Sequence, residues 1–159
     1  MSHITELKKT IIATDSLITG TLRYDIQNAT EQVASAHWSY ASDGGAIGAI
    51  NLTLDHPIPS GSYIKEFIVN TTTALSEASG TPTVALSILA ANDLLTATNF
   101  SSAPYNVSGT APYKVDKTTT ALKTTAEETT IQFTVASAAL DAGVVEFYIV
   151  FVAPDMSLA

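Results

Sequence analysis

Histidine is the side chain best suited to moving protons near neutral pH, and this 159-residue chain has three, His3, His37 and His56. They make no His-X-X-X-His or His-X-His pair from which a metal site could start. A hydrolytic serine would need a sharp elbow, and no Gly-X-Ser-X-Gly occurs. His37 sits in His37-Trp38-Ser39-Tyr40 and His56 follows Asp55 in a Pro-rich turn, so both read as surface or turn residues. Cysteine is absent, which excludes thiol nucleophiles, Cys-ligated zinc and disulfides. The 15 acidic residues are spaced singly apart from Glu127-Glu128, with no calcium-loop pattern. Nothing in the spacing pairs two carboxylates for glycoside hydrolysis. Gly44-Gly45 and Gly48 have no helix after them and no lysine beside them, so they mark a turn and not a phosphate loop. The expected set of catalytic, cofactor-binding and metal-binding residues is therefore empty.

One stretch has the residue types of a binding surface. Ala91–Lys117 is a long connection broken by Pro104, Gly109 and Pro112. Connections of that length are usually functional or locally structured. It holds Asn92, Asp93, Phe100, Tyr105, Asn106 and Tyr113, and aromatic rings beside amides and carboxylates suit pyranose faces and their hydroxyls. Asn92, Asp93, Tyr105, Asn106 and Tyr113 are the candidate ligand residues; the plainer alternative is that the rings pin the loop to its own domain. Asn92 is also placed to cap one helical turn through Asp93-Leu94-Leu95.

The elements that carry these residues are strands. Thr83–Ala90 alternates Val84, Leu86, Ile88 and Ala90 against Thr83, Ala85, Ser87 and Leu89. The turn Asp43-Gly44-Gly45 leads into a strand at Ala46–Leu54 whose parity changes near Gly48, which predicts a bulge or a twist there. Pro57 and Pro59 end that strand. Further strands are expected at Tyr63–Asn70, Thr118–Lys123, Thr129–Val135 and Val144–Val152. The pentapeptide Thr-Thr-Thr-Ala-Leu occurs at Thr71–Leu75 and again at Thr118–Leu122. Each copy is followed, at the same offsets, by alternating apolar residues: Val84, Leu86 and Ile88, then Ile131, Phe133 and Val135. This is a duplicated strand–loop–strand pattern. Short strands separated by Gly/Pro/Ser/Asp turns, with no long helix, predict an all-β antiparallel sandwich of the jelly-roll type, with an immunoglobulin-like sandwich as the alternative.

The last strand has Val145, Phe147, Ile149 and Phe151 on one face and the largely apolar Glu146, Tyr148, Val150 and Val152 on the other. A two-sheet sandwich covers one face only. Tyr148, Val150 and Val152 are thus expected to meet either an N-terminal arm or another subunit. Residues 1–42 read as that extended arm or as a first edge strand, and residues 43–159 as the sandwich.

Hydrophobic residues make up 46% and charged residues 14% of the chain, a globular balance. The net charge of −8 and a pI near 4.6 argue against a nucleic-acid partner and an anionic membrane surface. Lys8 and Lys9 precede Ile11-Ile12-Ala13-Thr14, but Asp15 interrupts the run before a signal peptide forms, so folding in a cytoplasm is expected.

The stretches Tyr40–Leu54, Ile58–Leu75, Thr83–Ile88, Asn92–Leu95 and Ala139–Val150 resemble tailed-bacteriophage capsid decoration (cement) and head-fibre proteins. In those proteins a turn of Asp-Gly-Gly type leads into a strand, a Pro-rich turn and a Thr-Thr-Ala-Leu segment. The resemblance covers about residues 38–152. It implies a structural virion component on the outside of an icosahedral head, assembled in the host bacterial cytoplasm. It also implies a homotrimer with the major capsid protein and other virion proteins as partners. The alternative from a different class is a receptor- or carbohydrate-binding module of a head or tail fibre, using the Asn92–Tyr113 loop.

Overall fold

The computed structural model describes residues 31–102, 105, 113–115 and 122–154. Nine strands and one helical turn are found among them: β1 (Glu31–Ser39), α1 (Tyr40–Asp43), β2 (Gly48–Ile58), β3 (Tyr63–Ser76), β4 (Thr83–Ser87), β5 (Leu95–Asn99), β6 (Tyr113–Val115), β7 (Leu122–Lys123), β8 (Glu128–Ala136) and β9 (Ala142–Val152). One sheet has the order β1-β9-β3-β6, with β7 also on β3; the other has the order β2-β8-β4-β5. All pairings are antiparallel.

The pairs are nested. The first strand pairs with the last, β2 with β8, β3 with β6 and β7, and β4 with β5, and successive pairs fall in alternate sheets. A chain doubled into one long hairpin and rolled up gives this order, which is the jelly roll. An immunoglobulin-like sandwich pairs its strands differently, so that alternative does not hold.

Alternation along each strand fills the space between the sheets. Val145, Phe147, Ile149 and Phe151 of β9 face Leu52 and Leu54 of β2, Val84 and Leu86 of β4, and Ile131, Phe133 and Val135 of β8, all in one buried cluster. Both copies of the repeat place their leucine, Leu75 or Leu122, in the first sheet, and both leucines are buried. Their trailing strands, β4 and β8, are neighbours in the second sheet, and Leu86 pairs with Phe133 at the same offset from each copy. Residues 118–121 of the second copy lie outside the described residues.

Two local expectations need correction. No bulge occurs at Gly48: the β2–β8 register is unbroken from Gly48↔Val135 to Thr53↔Thr130, and its shift falls between Thr53 and Ile58. Ile47 instead lies before the strand and is 62% exposed. The strand also does not end at Leu54 but runs through Pro57 to the buried Ile58. As an edge strand, β2 can carry a proline at its irregularity without losing a central ladder bond.

Glu31–Ser39 pairs with β9 along its whole length and puts Ala34, Ala36 and Trp38 in the core. Of the 1–42 segment read as an arm or first edge strand, residues 31–42 thus form β1 and most of α1, and residues 1–30 lie outside the described residues. The turn after β1 is locked to the turn before β9: the Leu140 N–H donates to the Gly45 carbonyl at 2.8 Å. A Cβ at Gly45 would stand 2.3 Å from the Leu140 carbonyl oxygen. Gly45→Ala is therefore expected to cost about 1–3 kcal/mol, as an overpacking change that a backbone carbonyl cannot yield to. Denaturant unfolding measures this, and a midpoint equal to the parent's would show that the two turns are not in contact.

Candidate functional site

The Asn92–Tyr113 connection is tied down from within. Asp93 is buried; its Oδ1 accepts the Ile88 N–H at 2.8 Å, and its Oδ2 accepts Leu89 N–H at 2.9 Å and Ala90 N–H at 2.8 Å. The carboxylate thus closes the chain reversal after β4. The Leu94 N–H returns to the Leu86 carbonyl at 3.2 Å. No helical turn forms after Asn92, whose φ of 61° reverses the chain and whose N–H donates to Ser87 Oγ at 2.8 Å. A short polar side chain tolerates that left-handed conformation better than most.

Tyr105 is fully buried, and burial pushes its phenol far above the usual tyrosine range. Its hydroxyl has no hydrogen-bond partner among the described residues. The Phe100 N–H donates to the Pro82 carbonyl, so the chain before Tyr105 lies at the β3–β4 end of the sandwich. Asp93 lies at the opposite end, across the length of β5, about 17 Å of extended chain. Asp93 and Tyr105 are therefore not brought together. Asn106 lies outside the described residues; Tyr113 opens β6 opposite Val69, and its side chain is outside them too.

Tyr148, Val150 and Val152 do share one face, the outer face of the first sheet. Val150 and Val152 are only 9% and 7% exposed. On one side of them stand Val33 and Glu31 of β1, on the other Glu66 and Tyr63 of β3. The register shift between Ile64 and Glu66 leaves Lys65 as an extra outward residue. Its ammonium reaches over β9 to the Glu31 carboxylate, and this partner raises the lysine pKa. The aliphatic stem of such a strap shields the valines beneath it. Above them, Glu146 Oε2 accepts Asn70 Nδ2–H at 2.8 Å and the Tyr148 hydroxyl at 2.9 Å, and that bond raises the Tyr148 phenol. What remains open on this face is Val33, 50% exposed, and Tyr63, 39% exposed. Sequence alternation did not single out these two, because each lies on a strand with a polar outer neighbour.

His37 is exposed on β1, and His56 Nδ1 lies 3.1 Å from Asp55 Oδ2; His3 is outside the described residues. No cluster of three or more His, Cys, Asp or Glu side chains able to hold a metal occurs among the described residues. Among the depressions formed by the described residues are the following. One of about 460 Å³ lies between the turn after β1 and the turn before β9, lined by Tyr40, Gly44, Ile47, Ala139 and Leu140. Another, about 350 Å³, is lined by Ser35, His37, Thr53, Asp55, Glu146 and Tyr148.

Asp55 spans the open side of the sandwich, accepting the Ser35 N–H at 2.6 Å. That bond is the main reason its pKa lies below the ordinary 3.8. A carboxylate with a lowered folded pKa adds stability that is complete above its unfolded value and is lost as pH falls through the folded one. Asp55→Asn is thus expected to lower the melting temperature at neutral pH, with the gap to the parent closing on acidification. A gap that widens in acid would contradict the Ser35 contact. Glu128 acts in the opposite sense: desolvation and the nearby Asp93 charge raise its pKa, so the folded state takes up its proton more readily.

The fold of the described residues is an all-β jelly roll. No family model matches the chain, and no curated protein does. Solved structures do. A chain of the capsid asymmetric unit of cyanophage Pam1 matches with a TM-score of 0.57 and 19% identity, over 84% of this chain and 92% of that one. A chain of the acidic stable capsid structure of Helicobacter pylori bacteriophage KHP30 matches with a TM-score of 0.55 and 14% identity, over 80% of this chain and 90% of that one. At these identities the likeness is one of fold. The structural neighbours of this jelly roll are phage capsid chains.

Proposed function

We propose that the chain is a structural component of a bacteriophage virion, a decoration (cement) protein that binds the outer head surface and stabilises contacts between capsomers. The observation that carries this reading is the extent of the fold match. It spans about nine-tenths of two chains drawn from phage capsid structures, so each of those chains is little more than one such sandwich. The acidic surface, the open Val33 and Tyr63, and an N-terminal segment of 30 residues beyond β1 fit a molecule that docks on a shell. The partners are the major capsid protein and further copies of this chain, arranged as a trimer. A trimer that clamps neighbouring capsomers multiplies modest contacts by avidity, so shell expansion under internal pressure has to break several at once.

The test is addition of the purified protein to heads that lack it, with occupancy read by cryo-electron microscopy. Full-length protein is expected to coat the outer surface. A version starting at Glu31 keeps β1 intact, and is expected to lose most of its occupancy if residues 1–30 form the clamp. Failure of the full-length protein to bind any head would end the decoration reading. Binding to host-cell glycans instead would favour the fibre-module alternative, against which stand the internal bonds of Asp93 and the buried ring of Tyr105.

A further inference from the structure

The outer side of β1 carries the backbone groups that β9 does not use. In an antiparallel pair, alternate residues direct both N–H and C=O toward the partner or away from it. The Ser35 N–H donates to Asp55 Oδ1 at 2.6 Å and the Ser39 N–H to Asp43 Oδ2 at 2.8 Å. Residues 33, 35, 37 and 39 therefore all point their amides away from β9. The two carboxylates arrive from different elements, Asp55 from the edge strand of the other sheet and Asp43 from α1. Each is itself held, Asp55 by His56 Nδ1 at 3.1 Å and Asp43 by the Ser42 hydroxyl at 2.9 Å. The amide of His37, between the two caps, meets no side-chain acceptor among the described residues.

Among the described residues no strand pairs with this edge, and an edge of this length is a template for another strand. Its own copy is one strand that fits it: β1 laid antiparallel on β1 and centred on an outward-pointing residue exchanges N–H···O=C bonds with itself, a two-fold contact. A carboxylate on an outward amide takes the donor and puts negative charge where the incoming carbonyl oxygen would sit. We propose that Asp43 and Asp55 keep the β1 edge closed to the β1 edge of a second copy. Assembly contacts of this chain are thereby directed to its other surfaces. This holds whether or not the chain belongs to a virion.

Amide hydrogen exchange on the unaltered protein tests the premise: Ser35 N–H is expected to exchange at least tenfold more slowly than His37 N–H, though both lie on the same edge. Equal rates would overturn the proposal. The double variant Asp43→Ala/Asp55→Ala is then expected to show a concentration-dependent rise in mass, at least twofold over the parent, in sedimentation velocity. Adding His37→Pro should abolish that rise, because the lost N–H is an outward one and the β9 ladder is untouched. A folded double variant that sediments like the parent, or association that survives His37→Pro, overturns the idea. If the double variant does not fold, the exchange comparison decides alone.

Discussion

Replacing Phe133 with alanine is expected to remove about 3–5 kcal/mol of stability, the range for deleting a fully buried phenylalanine. Its ring is the second sheet's contribution to an aromatic row that otherwise belongs to the first. Trp38 stacks on it with centroids 4.9 Å apart, Phe147 tilts against it at 5.9 Å, and Phe67 follows Phe147 at 6.1 Å. All four rings are fully buried. Deleting Phe133 removes the ring that couples the sheets and leaves a space that strands pinned on both sides by β2 and β4 cannot close. Phe133→Leu, which keeps most of the volume, should cost far less. Equilibrium urea unfolding of the two variants measures the difference. Similar losses for both would mean that the rings do not bridge the sheets.

The second large effect is expected at Asp93. Its carboxylate is the acceptor for three consecutive backbone amides, and Asp93→Ala leaves all three unpaired at the end of β4. Hydrogen bonds to a charged acceptor are worth about 1.5–3 kcal/mol each. Leu89 and Ala90 are exposed residues whose amides are only partly buried, so water can offset part of the loss, and a total of about 2–4 kcal/mol is expected and not the full sum. Asp93→Asn keeps one acceptor oxygen and should recover part of this. The loss should appear both in urea unfolding and as faster exchange of the Ile88 amide. A neutral Asp93→Ala variant would show that these three bonds do not hold the chain reversal after β4.

Period-two alternation made the strands readable, since a half-buried strand must place every second side chain in the core. Val145, Phe147, Ile149 and Phe151 were legible for that reason. The repeat was legible as well, and it lands where two strands of one sheet lie side by side. Pro57 was misleading because proline forbids a ladder bond only on a side that has a partner, and one sequence does not say that β2 is an edge. Asn92 misled in the same way: a capping side chain is a local signal, and here the neighbouring Asp93 used its stronger acceptor to turn the chain before a helix could start. The candidate ligand loop joined Asp93 and Tyr105 by closeness in sequence, whereas β5 holds them at opposite ends.

The order of apolar, β-branched and turn residues determined by itself that this chain builds antiparallel strands and that every second side chain along them faces a core. Those properties follow from local sterics and the two-residue period. Only the rolled-up structure decided which strands are edges, that Lys65 reaches across β9 to Glu31, and that Asp43 and Asp55 meet alternate amides of β1. Each of these joins residues brought near by long-range pairing, whose partners depend on the register of the whole sandwich.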